Sequence, residues 1–296
     1  MAERWDASLT ALLRERFALR VEAAAPVRGL GDECAIWRTT APAGYAVRIS
    51  PVRRSAADLE WVYRVAARFA AVVPEAVAPL RGTDGRAVAV WEGRPVAVWP
   101  WIAGDQLDRE DRWARRAAAE LLARLHAAAS AIDPVGPRPD PVRRCAHCRH
   151  WSDLRDPALD ADLAAWERRT RAVPVALHGD FYRRNLICAG GTIAGLLDWD
   201  ELRVDYPERE LAWAAWELSK NDAGDGLLAA RAREFLDVYA RGAAGVWDRR
   251  MIVPLIREGL RAEVCRNRTG RGPRLGDDPY TAAEVRAFGA LRGTAL

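Results

Sequence analysis

The stretch Leu177-His178-Gly179-Asp180, followed by Asn185 and then by Asp198-Trp199-Asp200, decides how this chain is read. Phosphoryl transfer depends mainly on positioning and on charge neutralisation, which a carboxylate, an amide and a second carboxylate in this order can provide. We therefore expect Asp180 to orient an acceptor hydroxyl. We expect Asn185 and Asp198 to hold Mg²⁺ on the phosphates of ATP.

The residues between Asn185 and Asp198 predict a β-hairpin. Two apolar segments flank Gly190-Gly191, and a glycine pair supplies the positive φ angles of a tight turn. Folding this hairpin returns Asp198 to within about two residues of Asn185, so both candidate metal ligands are expected at its open end. The apolar run that precedes Asp180 is expected to deliver that residue to the same place.

The combination of HGDxxxxN, an apolar strand and DWD resembles the aminoglycoside phosphotransferase family, a branch of the kinase-like fold that modifies small molecules. Residues 121–126 (LLARLH) are similar to the helix that precedes the catalytic loop in this family. Residues 205–212 resemble the family's D-P-x-x-D-L-A passage, with Glu210 where aspartate is usual. The resemblance implies that Asp180 is catalytic and that the candidate metal ligands bind magnesium.

The resemblance also implies an α+β, bilobal protein-kinase-like fold. The small N-terminal lobe is expected to contain an antiparallel five-stranded sheet and one main helix, and the larger C-terminal lobe to be mostly helical. Proline and glycine in Pro100–Gly104 end the last strand of the first lobe. We therefore expect a nucleotide-binding lobe over residues 1–101 and a catalytic and substrate-binding lobe over residues 102–296.

Arg48 is the candidate phosphate-binding cation of the first lobe. It stands where kinase-like folds place a lysine, and the chain has a single lysine, Lys220, in its second half. A planar guanidinium can pair with phosphate oxygens through two parallel hydrogen bonds. Glu60, on a helix that starts at Ser55, is the expected partner of Arg48; the alternative is an exposed helix glutamate.

Three further positions complete the predicted nucleotide site, and Arg183 joins Asp180 as a candidate catalytic residue. Gly29 and Gly31 form a short turn whose N–H groups could approach phosphate, or else an ordinary β-turn. Trp101 is either a stacking platform for adenine or a core residue. Arg183, in the catalytic loop, is expected to neutralise the transferred group unless it is simply solvated.

The acceptor is the least determined part of the sequence interpretation. A polycationic aminoglycoside would need free carboxylates, and the second half offers Asp200, Glu217, Glu258, Glu263, Asp277 and Asp278. Several arginines in the same region oppose a cationic ligand and suit a neutral or anionic one. We expect an aminoglycoside or another antibiotic, with a sugar, nucleoside-type, homoserine or other small-metabolite kinase as the alternative. ATP is the expected donor, with GTP possible, and a catalytically silent nucleotide-binding regulator is the alternative from a different class.

Composition bounds the remaining classes. The chain has 296 residues, half of them apolar, and a net charge of +4 with acidic and basic residues interleaved, which argues against a nucleic-acid partner. No apolar run is long enough to cross a membrane and no signal-peptide pattern is present, so we expect a cytoplasmic protein without an obligate protein partner.

Asp205-Tyr206-Pro207 follows Asp198 too closely for a protein-kinase activation segment. Cys145–His150 looks like a zinc knuckle but is expected to be a loop.

Overall fold

The computed structural model describes residues 5–27, 34–133, 136–138, 151–170, 172–243, 247–269 and 277–296. The chain divides into two compact units. The sheet unit comprises Met1–Gln106, Ile132–Pro141 and Asn185–Leu202, and the helical unit comprises Leu107–Ala131, Val142–Arg184 and Arg203–Leu296. The predicted domains were continuous, whereas the chain re-enters the sheet unit twice after leaving it.

The sheet unit contains the predicted five-stranded antiparallel sheet, in the order β1-β2-β3-β5-β4. Its strands are β1 (Ala23–Pro26), β2 (Ala35–Ala41), β3 (Ala43–Ile49), β4 (Ala89–Trp91) and β5 (Arg94–Pro100). Apolar residues of β3 and β5 alternate towards a core shared with the first helix, α1 (Ala7–Phe17), through Leu9, Leu13, Val47, Val96 and Val98. The α+β prediction is confirmed.

The main helix of this unit is α2 (Ala56–Ala70), as the sequence predicts. Ser55 caps it by accepting a hydrogen bond from the N–H of Asp58. A second sheet of three strands has the order β6-β8-β9 and consists of β6 (Asp105–Gln106), β8 (Leu186–Ala189) and β9 (Thr192–Leu196).

The helical unit is built from six α-helices and one pair of short strands in its described residues. The helices are α3 (Arg112–Ala129), α4 (Pro157–Arg169), α5 (Pro207–Ser219), α6 (Ala229–Gly242), α7 (Ile252–Thr269) and α8 (Pro279–Ala290). The strands β7 (Val175–Leu177) and β10 (Arg203–Asp205) pair antiparallel. Aspartates 111, 156 and 278 cap α3, α4 and α8 by accepting backbone N–H groups.

From the sequence, helices are predicted over residues 109–129, 156–172, 208–220, 227–239 and 253–266, and these agree with α3 to α7 to within a few residues. Residues 267–279 predict a loop, and α8 was not predicted. Cys145–His150 lies outside the described residues. In the described part of the chain, none of the helices has the length and apolarity needed to traverse a bilayer.

Candidate functional site

The predicted hairpin is confirmed, and it brings Asn185 and Asp198 to one end. Strands β8 and β9 pair antiparallel, and Gly190 and Gly191 turn the chain with φ angles of 57° and 74°. Asn185 directly precedes β8, and the N–H of Leu197 donates to its carbonyl oxygen at 2.8 Å. The hairpin therefore brings the backbone of Asn185 and that of Asp198 to the same end of the strand pair.

The Asp198-Trp199-Asp200 segment is fixed to helix α2 by an aromatic contact. The fully buried Trp199 ring stacks on Phe69, with a centroid separation of 5.1 Å and an interplanar angle of 30°. Asp198 has a φ of 60°, a left-handed conformation that is uncommon for residues other than glycine. Such conformations persist where the surroundings hold them, and they cluster at functional sites.

Arg48 joins both aspartates of this segment. Its Nη1 donates to Asp198 Oδ1 at 3.0 Å and to Asp200 Oδ1 at 3.0 Å, and its Nη2 donates to Asp200 Oδ2 at 2.9 Å. Burial alone would lower the pKa of Arg48, but the charges of Asp198 and Asp200 outweigh it and raise the pKa well above its ordinary value. Burial raises the pKa of Asp200 while Arg48 opposes that rise, and the paired bonds are those of an ionised carboxylate.

The predicted Arg48–Glu60 pair is absent among the described residues. Glu60 Oε2 instead accepts the backbone N–H groups of Ala87 and Val88, each at 2.9 Å. These amides lie just before β4, and the buried carboxylate supplies their hydrogen-bond acceptor. The prediction was wrong because Glu60 binds the backbone amides of Ala87 and Val88, whereas Arg48 is paired with Asp200.

Arg138 is a buried contributor that the sequence analysis missed. It binds both carboxylate oxygens of Asp58, at 2.8 and 2.6 Å, and also donates to the carbonyl oxygens of Leu202 at 2.6 Å and Asp200 at 2.9 Å. It thereby ties helix α2 to the segment that carries the two aspartates. The sequence of residues 137–141, with three prolines, predicts a surface loop instead.

The other predicted nucleotide-binding positions have different outcomes. Gly29 and Gly31 lie outside the described residues. Trp101 donates its backbone N–H to Gly44 at 2.8 Å, and the guanidinium of Arg38 lies 4.6 Å from its ring centroid. One face of the ring is therefore already covered by a cation.

In the helical unit, the peptide before Asp180 is held from both sides. Gly179, with a φ of 90°, donates its N–H to Glu210 Oε1 at 2.5 Å, and its carbonyl oxygen accepts from Arg203 Nη1 at 2.7 Å. The N–H of Asp180 donates to His178 Nδ1 at 3.2 Å. The side chain of the half-buried Arg183 makes no ion pair or hydrogen bond with any residue that the structure describes.

Glu210 extends this arrangement into the core of the helical unit. Its Oε2 lies 2.9 Å from His126 Nε2, and His126 Nδ1 lies 2.8 Å from the hydroxyl of Tyr239. Burial would raise the pKa of Glu210, but the hydrogen bond and charge of His126, with the N–H of Gly179, lower it overall. Glutamate in place of the usual aspartate therefore still contacts the catalytic-loop backbone.

The candidate substrate carboxylates are all engaged by side chains or backbone of this chain. Glu217 accepts from Lys220 at 2.6 Å, Glu258 from Arg209 at 2.9 Å, and Asp277 from Arg268 at 2.7 Å. Glu263 pairs with Arg266, and Asp278 caps α8 by accepting the N–H of Thr281 at 2.8 Å. Asp200 is buried against Arg48 in the sheet unit, so its predicted contact with substrate is replaced by this ion pair. Arginines of the same part of the chain therefore pair with three of these candidate carboxylates, those of Glu258, Glu263 and Asp277.

The residues present suit a hard divalent cation. Mg²⁺ is usually held by one or two carboxylates together with substrate phosphates, and oxygen donors are its preferred ligands. Asp198 keeps 41% of its side chain exposed while contacting Arg48, so the carboxylate remains accessible to a further ligand. Within the described ranges, no group of three or more His, Cys, Asp or Glu side chains could form a metal site alone. Asn185 and Asp198 therefore fit a metal that is shared with phosphate.

The chain resembles known proteins in both sequence and fold. It is 28% identical over 169 residues to a homoserine kinase of Methylobacillus glycogenes, covering 54% of this chain and 52% of that protein. The chain thus spans about half the length of the curated relatives that it matches.

Solved structures match along nearly the whole chain. The amicoumacin kinase hAmiN in complex with AMP-PNP, Ca²⁺ and Ami has a TM-score of 0.72 at 13% identity, covering 97% of this chain and 93% of that one. The GDP and kanamycin complex of APH(2")-IIIa has a TM-score of 0.65 at 12% identity, covering 96% and 98%. The model of the phosphotransferase enzyme family (APH) matches residues 26–245, and this chain belongs to that family.

Proposed function

We propose that this protein transfers the terminal phosphate of a nucleoside triphosphate to a hydroxyl group of a small molecule. The observation that carries the proposal is the grouping of Arg48, Asp198 and Asn185 within the sheet unit. A guanidinium for phosphate, an accessible carboxylate and an amide oxygen are the parts that phosphoryl transfer requires around its donor. The nucleotides named for the structural neighbours, AMP-PNP and GDP, support this class of donor.

Each residue has a distinct part in the proposed reaction. Asp180 accepts a hydrogen bond from the acceptor hydroxyl and takes its proton as the phosphoryl group reaches the oxygen. Arg48 orients the phosphates, and Arg183 neutralises charge on the transferred group. Asn185 and Asp198 hold Mg²⁺, which supplies charge neutralisation on the phosphates when bound.

We propose a small hydroxylated amino acid of the homoserine type as the acceptor, in preference to an aminoglycoside. The homoserine kinase relatives support this choice. The ion pairs of Glu217, Glu258 and Asp277 also support it, since carboxylates already neutralised by this chain's own cations attract a polycation weakly. A zwitterionic acceptor carries no net charge and is less affected by this balance.

Turnover with a panel of acceptors tests the substrate. ADP release is measured with ATP and Mg²⁺ in the presence of homoserine, kanamycin or choline, with a no-acceptor control. Stimulation by homoserine is expected. Stimulation by kanamycin alone would restore the antibiotic interpretation, and Mg²⁺-dependent turnover of any kind would eliminate the silent regulator.

The Asp180→Asn variant tests the reaction class. We expect kcat to fall by about 10²–10⁴-fold, the usual contribution of a positioned general base, with unchanged affinity for nucleotide. Asp84→Asn, which removes an exposed carboxylate paired with Arg16, is the matched control and should retain full kcat. Full activity in Asp180→Asn would contradict the assignment.

A further inference from the structure

The phosphate-binding cation of the sheet unit has two acidic partners of unequal character. Asp200 makes two hydrogen bonds to the Arg48 guanidinium and has a side chain only 3% exposed. Asp198 makes one hydrogen bond to it and has a side chain 41% exposed. The buried, two-point contact fixes the plane of the guanidinium, whereas the single contact with Asp198 leaves that carboxylate partly exposed.

Asp200 is itself firmly placed. The hydroxyl of Tyr63 donates to Asp200 Oδ1 at 3.2 Å, and Arg54 Nη2 lies 3.5 Å from Oδ2. The carbonyl oxygen of Asp200 accepts from Arg138, and the neighbouring Trp199 stacks on α2. An anchor must have less freedom than the group it holds, and these contacts restrict both the carboxylate and its backbone.

One N–H donor of Arg48 is not hydrogen-bonded in the described structure. Its Nε is buried and has no hydrogen-bond partner among the described residues. A buried donor without a partner is unfavourable, so Asp198 and Asp200 do not satisfy every donor of the guanidinium. Glu60 Oε2 accepts the N–H groups of Ala87 and Val88, and Glu60 makes no bond to this arginine in the described residues.

We infer that Asp200 is the positioning residue that holds Arg48 for the nucleotide phosphates, in the place that the sequence had assigned to Glu60. The inference rests on the proposed nucleotide-binding function of the sheet unit. It makes the last residue of the Asp198-Trp199-Asp200 segment part of nucleotide binding, although that residue has no direct contact with the ligand. Arginine, rather than lysine, suits this arrangement because its fork can bind Asp200 at two points and still present other N–H groups.

A pair of isosteric variants tests the assignment by calorimetric titration of the full chain with ATP and Mg²⁺. We expect Asp200→Asn to weaken ATP binding by at least about tenfold, since it removes the charge that orients Arg48. Glu60→Gln retains an oxygen acceptor for the two backbone amides and should leave ATP affinity unchanged. The reverse result, with Glu60→Gln weakened and Asp200→Asn unchanged, would overturn the inference.

A double-mutant cycle separates positioning from general destabilisation. If Asp200 acts through Arg48, adding Asp200→Asn to Arg48→Gln should weaken ATP binding no further than Arg48→Gln alone. Additive losses would contradict the inference. This comparison also holds if Asp200→Asn alone fails to fold, because the double variant lacks the buried unpaired cation. Absence of ATP binding by the unmodified chain would instead refute the proposed function.

Discussion

The two functional segments of this chain are held by different kinds of interaction. In the sheet unit, ion pairs with Arg48 hold the side chains of Asp198 and Asp200, and Arg138 donates to the carbonyl oxygen of Asp200. In the helical unit, the segment that carries Asp180 is held through its backbone, because Glu210 accepts the N–H of Gly179 and Arg203 donates to the carbonyl oxygen of Gly179. Side-chain pairs can exchange partners when a charged ligand arrives, whereas a clamped peptide keeps a fixed geometry. The difference suits the proposed roles of the two units, phosphate binding by the sheet unit and presentation of a base by the helical unit.

Apart from replacement of Asp180 itself, removing the backbone contacts of Gly179 is expected to lower kcat most. Glu210→Ala should lower kcat by at least about 100-fold, because a small misplacement of Asp180 forfeits much of the benefit of orientation. Affinity for ATP should stay near that of the unmodified protein, since the residues proposed to bind phosphate lie in the sheet unit. Steady-state kinetics and ATP titration on the same preparation measure both quantities.

Glu210→Gln is the control for the clamp. It keeps an oxygen for the N–H of Gly179 but loses the charge beside His126, so its kcat should lie between those of Glu210→Ala and the unmodified protein. Equal loss of kcat and ATP affinity in Glu210→Ala would show a general disturbance rather than displacement of Asp180.

Breaking an ion pair of the sheet unit should have the opposite effect, lowering ATP affinity and leaving kcat unchanged. Asp58→Asn removes the charge paired with the buried Arg138, and such a loss costs about 3–5 kcal/mol of the free energy of unfolding. Because Arg138 also holds the Asp200 carbonyl, ATP affinity should fall while kcat at saturating ATP is retained. Urea denaturation and ATP titration check the two parts.

The exposed pair of Arg16 and Asp84 provides the matched reference for this prediction. Surface pairs contribute only about 0–1 kcal/mol, so Asp84→Asn should change neither the free energy of unfolding nor ATP affinity appreciably. A kcat defect in Asp58→Asn with unchanged ATP affinity would contradict the contrast between the units.

Local chemistry explains which parts of the fold the sequence could predict. The hairpin that joins Asn185 and Asp198 follows from a Gly-Gly turn between apolar segments, and helix α2 follows from the Ser55 cap and its apolar stripe. Both signals lie within a few residues of the structure that they specify. Helix α8 was missed although Asp278 caps it and Pro279 begins it, because the preceding residues had been interpreted as one long loop.

The partners of charged residues could not be predicted in the same way. Arg48 and Asp200 are 152 positions apart, and the competition between Glu60 and Asp200 for the guanidinium depends on where β4 and helix α2 pack. Arg138 likewise pairs with a residue 80 positions away. Sequence spacing identifies which residues carry the chemistry, but long-range packing decides which of them neutralise one another.

The comparison between the two units can also be tested on a buried acid of the helical unit that has no cationic partner in the described structure. Glu284 on α8 is 1% exposed, and neither of its carboxylate oxygens has a hydrogen bond that meets normal geometry in the described structure. Burial raises its pKa to about 8; the negative charges of Glu263 and Glu217 add to the rise, while Tyr280 and Lys220 oppose it. Glu217, by contrast, is paired with Lys220.

The sign of the resulting pH dependence follows from proton linkage. The folded state retains the Glu284 proton up to about pH 8, whereas the carboxyl of the unfolded chain ionises near 4.5, so stability is lost as pH rises between these values. Glu284→Gln does not titrate, and its free energy of unfolding should exceed that of the unmodified protein by at least about 1 kcal/mol at pH 8. The gap should close as the pH falls towards 4.5, as urea denaturation across this range would show. A gap that is constant with pH would mean that Glu284 is ionised in the folded protein, and that the helical unit, like the sheet unit, neutralises its buried acids with charge.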